Sequence, residues 1–123
     1  MSGNSLLLDT NIILYILNGD ETLAEILRFK KLYISFITQL EILSYTKISQ
    51  EQKLQINAFL NECLIVDIND RIKDIVIDIR RKYKLKLPDS IIAATALHLT
   101  IPLISADKNF VKIQEASIIQ YFV

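Results

Sequence analysis

The stretch "SLLLDTNIILYIL", Ser5–Leu17, decides how the rest of the chain is read. One carboxylate, Asp9, interrupts a run that is otherwise apolar or neutral. The residues before it form a short apolar run of the length of a buried strand, and those after it open a helix near Ile12. A strand that passes through a single acid into a helix is the start of an alternating pattern.

The remaining chain keeps that pattern. Apolar runs bounded by polar residues recur at Leu32–Phe36, Leu64–Val66, Pro102–Ile104 and Ser117–Tyr121. With Ser5–Leu8 they read as strands that are not two-faced, as expected of a parallel sheet covered on both sides. Helical periods lie between them. Ile72, Ile75, Val76, Ile79 and Tyr83 form one apolar stripe within Asp70–Lys84. Leu23, Ile26 and Leu27 mark another helix. Ser49 with Gln52 has the form of a capping box opening a helix that runs to about Cys63, and Thr38 with Glu41 has the same form. Strands joined by helices in this order predict an α/β sandwich with a mainly parallel sheet. No repeat, linker or low-complexity segment is visible.

Composition agrees. The chain has 123 residues, the size of one domain, so a single domain over 1–123 is expected. Its hydrophobic fraction of 51% promises a large interior, and two Gly and two Pro argue against a turn-rich all-β fold. Formal net charge is zero, so any nucleic-acid partner must be met by local patches. One Cys, Cys63, and one His, His98, exclude a disulfide framework and a Cys/His zinc site. The lone thiol fits a reducing cytoplasm. The stretch "SIIAATALHLTIPLISA", Ser90–Ala106, falls short of the roughly 20 apolar residues of a membrane span and reads as a buried helix followed by a buried strand. No signal peptide is expected, and the protein is read as soluble with no membrane partner.

Four acids fall at telling places. Asp9 follows the first strand, Glu41 lies in the first turn of the helix after the second, and Asp107 follows "PLIS". Asp89 opens the most apolar helix, in "LPDSIIAATAL". In open α/β sheets ligands bind outside the carboxyl ends of the strands, where these acids would collect. Each also has a local explanation. Asp9 can cap the helix after it, Glu41 can complete a capping box with Thr38, Asp107 can make an Asx turn, and Asp89 beside Pro88 suits a helix N-terminus. Asp67 reads as a turn residue and Asp70 as a helix cap.

The conjunction is what points to chemistry. Four carboxylates in one cleft repel and raise one another's pKa. A hard divalent cation relieves that repulsion, and oxygen-only ligands suit Mg²⁺ or Mn²⁺. Such an ion can activate a water and stabilise charge on a phosphoryl group. Thr10, Asn11 and Ser105 are placed to support the acids by hydrogen bonds. Metal-free RNA cleavage commonly uses two histidines, and this chain has one, His98, read as structural. Cys63 is read as a small core hydrophobe.

At these positions the chain resembles the PIN-domain family, and most closely its VapC-type ribonuclease toxins. The matching pieces are "LLLDTNIILYIL", "ISFITQLEIL", "LPDSIIAATAL" and "LISADKNF", which follow in order across almost the whole chain. The resemblance implies a three-layer sandwich with a five-stranded sheet of order 3-2-1-4-5. It implies a Mg²⁺- or Mn²⁺-dependent endoribonuclease with Asp9, Glu41, Asp89 and Asp107 as its acidic site. It further implies a homodimer and a cognate antitoxin that blocks the groove.

Basic residues gather near two of the acids. Arg80, Arg81, Lys82, Lys84 and Lys86 precede Asp89, and Lys108 and Lys112 follow Asp107. They read either as a rim for RNA phosphates, with Arg80, Arg81, Lys82 and Lys108 foremost, or as a solvated helix end answering the helix dipole. Two other classes compete with the nuclease. A phosphoryl-transfer protein with Asp9 as nucleophile expects further acids where Asn11, or Leu7 and Leu8, stand. A non-catalytic binding module needs the acids only as caps.

Overall fold

The computed structural model describes residues 4–122; residues 1–3 and 123, the ends of the expected domain, lie outside them. Five strands form one parallel sheet: β1 (Ser5–Leu8), β2 (Lys31–Ser35), β3 (Leu64–Val66), β4 (Leu103–Ser105) and β5 (Ile118–Gln120). Their order is β3-β2-β1-β4-β5, so the order reverses beside the central β1. The helices are α1 (Thr10–Leu17), α2 (Glu21–Leu27), α3 (Phe36–Leu43), α4 (Gln50–Asn61), α5 (Asp70–Lys82) and α6 (Leu87–Leu99). A short 3-10 helix spans Lys108–Lys112. The α/β sandwich and the strand order expected from the sequence are both present.

The continuous apolar run of β1 follows from burial on both faces. Successive side chains of a strand point to opposite sides. Leu7 therefore joins Ile72, Val76, Ile79, Ile92 and Leu103 beneath α5 and α6. Leu6 and Leu8 join Ile12, Ile13, Leu23, Ile34 and Ile104 on the other face. Cys63 is buried there, and burial pushes its thiol up to about 11, which leaves it inert.

Several sequence expectations need correction. β2 ends at Ser35 because Phe36 is already helical, and β4 runs one residue later than expected, Leu103–Ser105. The cap of α3 is Ser35, whose hydroxyl accepts from Ile37 N, so Thr38 is not a cap and Glu41 lies beyond the first turn. Asn69, not Asp70, caps α5 through its bond from Ile72 N. Ile26 is exposed, whereas Leu23 and Leu27 hold α2 to the core. The Ser49–Gln52 capping box forms as expected, although its helix stops at Asn61.

Candidate active site

The carboxyl end of β1 delivers Asp9 directly into α1. Its carboxylate has two duties. Oδ1 accepts from Thr10 N at 2.8 Å, capping the helix, and Oδ2 accepts from the Ser105 hydroxyl at 2.7 Å. β1 and β4 are neighbours, so Ser105 at the end of β4 reaches Asp9 across one strand spacing. The Ser105 oxygen in turn accepts from Asp107 N at 2.9 Å. One buried hydroxyl thus ties together two acids that are 98 positions apart in sequence (9 and 107). Asp107 also accepts from Asn109 N at 2.9 Å, the Asx turn read from the sequence.

Glu41 arrives from α3. The Thr10 hydroxyl is 3.0 Å from Glu41 Oε1 and 3.1 Å from the Thr38 hydroxyl oxygen. A hydroxyl has one proton to give. If Thr10 donates to Glu41, Thr38 must donate to Thr10, so the three groups form a directed chain. Thr38 is wholly buried one helical turn before Glu41. The spacing that resembled a capping box therefore marks a shared helix face, and the clue was Ser35, an equally good cap three residues earlier.

Asp89 comes from the start of α6, where Pro88 fits the first turn but no side chain caps the helix. Burial first, and then the charges of Asp107, Asp9 and Glu41, push Asp89 up to about 6, against a smaller opposing effect of Lys86. Asp9 is also raised, chiefly by burial and less by Asp107 and Glu41, while its bonds from Ser105 and Thr10 pull the other way. Asp89 therefore feels the charges of the other three acids, and Asp9 those of Asp107 and Glu41. The four share one end of the sheet, beside the point where the strand order reverses.

The supporting residues divide. Thr10 and Ser105 contact the acids, whereas Asn11 is exposed and no hydrogen bond joins it to them. Gln120, which the sequence reading missed, donates from Nε2 to Ala106 O at 2.9 Å and so anchors the loop before Asp107. Arg80, Arg81 and Lys108 are exposed. Lys82 is engaged by Glu115 at 3.1 Å and Asp78 at 3.3 Å. His98 sits near the other end of α6, about 13 Å along the axis from Asp89, with Nε2 3.4 Å from Asn69 Nδ2.

Among the described residues no three His, Cys, Asp or Glu side chains stand as a ready-made metal cage. The donor set is nonetheless oxygen only, crowded and mutually repelling. It fits a hard cation that keeps most of its waters and takes one or two carboxylates directly.

The chain matches the PIN domain over residues 6–116. A toxin–antitoxin complex from Klebsiella pneumoniae contains a chain 30% identical to it, aligned over 96% of this chain and 99% of that one, with a TM-score of 0.83. VapBC2 from Rickettsia felis, bound to promoter DNA, is 20% identical over 96% and 99%, with a TM-score of 0.86. DNA-bound VapBC from Salmonella typhimurium is 17% identical over 94% and 97%, with a TM-score of 0.85. Comparison with curated protein sequences gives no match. This chain belongs to the PIN-domain family. Chains of solved VapBC complexes share its fold.

Proposed function

We propose that this protein is a Mg²⁺- or Mn²⁺-dependent endoribonuclease, the toxin of a type II toxin–antitoxin pair, with Asp9, Glu41, Asp89 and Asp107 as its catalytic acids. Asp89 carries the reading. Asp9 and Asp107 do cap helices, so taken alone they are explained without a reaction. Asp89 caps nothing, yet it is half-buried where three other carboxylates oppose its ionisation. Such an arrangement costs stability that the start of α6 and the Lys86 charge offset only in part, as expected of a group kept for function.

A divalent cation held among these acids supplies an activated water and stabilises negative charge on the phosphoryl oxygens. The chain's own groups do the rest. Asp9 and Asp107, tied to one another through Ser105, would mainly hold the ion, and Glu41 and Asp89 would complete the pocket. Thr10 holds Glu41 in place. Arg80, Arg81 and Lys108 meet phosphates of the RNA, while Lys82 already faces two carboxylates. The 30% identical relative occurs in a toxin–antitoxin complex, which supports a cognate antitoxin as partner. A homodimer, a cytoplasmic location and a single domain over 1–123 belong to the same proposal; among the described residues no helix is long and apolar enough to cross a membrane.

The test is cleavage of total cellular RNA by the purified protein with Mn²⁺, followed by mapping of the new ends. Discrete cuts are expected. They should disappear with a chelator and fall at least 100-fold in Asp9→Asn and Asp107→Asn, with circular dichroism unchanged. Equal cleavage by the variants and the parent, or no cleavage by any, contradicts the proposal.

A further inference from the structure

The last strand ends against the loop that carries Asp107. Gln120 on β5 is the register partner of Ser105 on β4, so their side chains leave the same face of the sheet. Between them they hold one peptide unit at both ends. Its N–H, that of Asp107, donates to the Ser105 hydroxyl oxygen at 2.9 Å. Its carbonyl, that of Ala106, accepts from Gln120 Nε2 at 2.9 Å. A peptide unit is planar, so bonds at its two ends stop the whole plane from turning. The attitude of that plane sets the direction in which the Asp107 side chain leaves the backbone. We propose that Gln120 is a positioning residue, which with Ser105 clamps the Ala106–Asp107 peptide and so orients the Asp107 carboxylate for a cation held among the acids. The inference rests on the metal-dependent reading and adds to it a neutral side chain from the last strand.

Three observations carry it. First, the Asp107 carboxylate depends on its backbone for direction. Oδ1 is committed to Asn109 N at 2.9 Å, and among the described residues no hydrogen bond occupies Oδ2. Second, β5 engages this loop at consecutive carbonyls. Tyr121 N donates to Ser105 O at 2.8 Å, and the Gln120 side chain takes the next one, Ala106 O. The backbone bond continues the sheet, whereas the side-chain bond reaches past its end, toward the acids. Third, packing alone does not select glutamine here. Turning the amide over would set Oε1 against Ala106 O, two acceptors, so the bond to Ala106 fixes which way the group lies. Oε1 is then buried with no hydrogen-bond partner among the described residues. An unmade bond at a buried acceptor costs stability, and an apolar side chain of equal length avoids that cost. The amide therefore earns its place through Nε2. Tyr121 offers the contrast. It points to the other face, packs on the side of Leu6 and Leu8, and donates to Asp20 at 2.8 Å, where it holds structure only.

The experiment separates orientation from stability. Mn²⁺ is titrated into the metal-free protein and the free ion is followed by electron paramagnetic resonance. Chemical unfolding and amide hydrogen exchange are measured on the same metal-free samples. Gln120→Met keeps the length of the side chain and removes both the donor and the unpaired acceptor, so the unfolding midpoint should stay level or rise. Its Mn²⁺ affinity should nonetheless fall about tenfold or more, the usual effect of losing a group that orients a ligand. Exchange of the Asp107 N–H should quicken about tenfold, while that of the Leu7 N–H, bonded to Pro102 O inside the sheet, stays as it was. Gln120→Asn, whose amide stops one methylene short of Ala106 O, should also lose Mn²⁺ affinity. Tyr121→Phe should lower the unfolding midpoint and leave Mn²⁺ affinity unchanged. Equal Mn²⁺ affinity in the parent and both Gln120 variants overturns the inference even where the parent binds the ion and cuts RNA. A loss of affinity that Tyr121→Phe shares, or that tracks the unfolding midpoint, overturns it in favour of a general loosening of the end of β5. No saturable Mn²⁺ binding by the parent overturns the cation reading, and this inference with it.

Discussion

Two buried hydroxyls decide how the acids are held. Ser105 is inaccessible and gives Asp9 Oδ2 its bond at 2.7 Å. Ser105→Ala strands a buried carboxylate oxygen, which costs about 1–3 kcal/mol, and chemical denaturation should show that loss. It also removes an interaction that opposes the rise in the Asp9 pKa, so Asp9 should titrate still higher by carboxyl NMR. Thr38 acts one step further away. Thr38→Val keeps the shape but ends the chain of hydroxyls to Glu41, so stability should fall by about 1 kcal/mol and RNA cleavage by roughly tenfold, equivalent to about 1.4 kcal/mol. Thr38→Ser restores the hydroxyl and should recover most of the activity. If Val and Ser variants cleave equally, Thr38 is only packing. Asp9, Asp89 and Asp107 stand out in the sequence because each breaks an apolar pattern at a strand end or a helix start, whereas Glu41, expected in the first turn of α3, lies beyond it. Thr38 and Gln120 were not, because their roles depend on which strands become neighbours.

At the scale of elements, the strands and helices were legible in type and order because burial on both faces leaves long apolar runs with little else to explain them. Their ends were less legible. Pro102 reads as the start of a strand but has no N–H to pair; it only accepts, at 2.9 Å from Leu7 N, and β4 begins after it. Ser35 and Phe36 look like strand by composition, yet Ser35 caps α3 and turns the chain at once. The turn after α6 shows a local compromise. Thr100 ends the helix with φ 57°, a left-handed conformation that a β-branched side chain tolerates poorly. Thr100 is exposed, so Thr100→Gly relieves that strain at little other cost and should stabilise the protein by about 0.5–1 kcal/mol. A lower melting temperature would show that the threonine makes a contact worth more than its strain. On α5, Ile79 is 1% exposed against α6, and Ile79→Ala should cost about 2–5 kcal/mol by cavity formation.

For the whole molecule, the fold gathers negative charge at one end and sets free positive charge beside it, within a chain whose formal net charge is zero. That polarity has a consequence for stability. Asp89 has its pKa raised to about 6 from an ordinary 3.8, and Asp9 is raised as well. A raised carboxyl binds its proton more tightly in the folded state, so between the unfolded and folded pKa values the folded state holds more protons. Stability then falls as pH rises through that window. Without divalent ions the melting temperature should therefore drop between about pH 4 and pH 6.5, and Asp89→Asn should flatten the drop. A bound cation reverses the balance, because it favours the ionised acids and must displace their protons. The most direct measurement is calorimetric titration of Mn²⁺ into the metal-free protein at pH 6 in two buffers of different ionisation enthalpy. Saturable binding with proton release is predicted, with the release reduced in Asp89→Asn and binding lost in Asp9→Asn. No saturable binding, or binding that is equal in the parent and Asp9→Asn, would contradict a cation site built from these four acids.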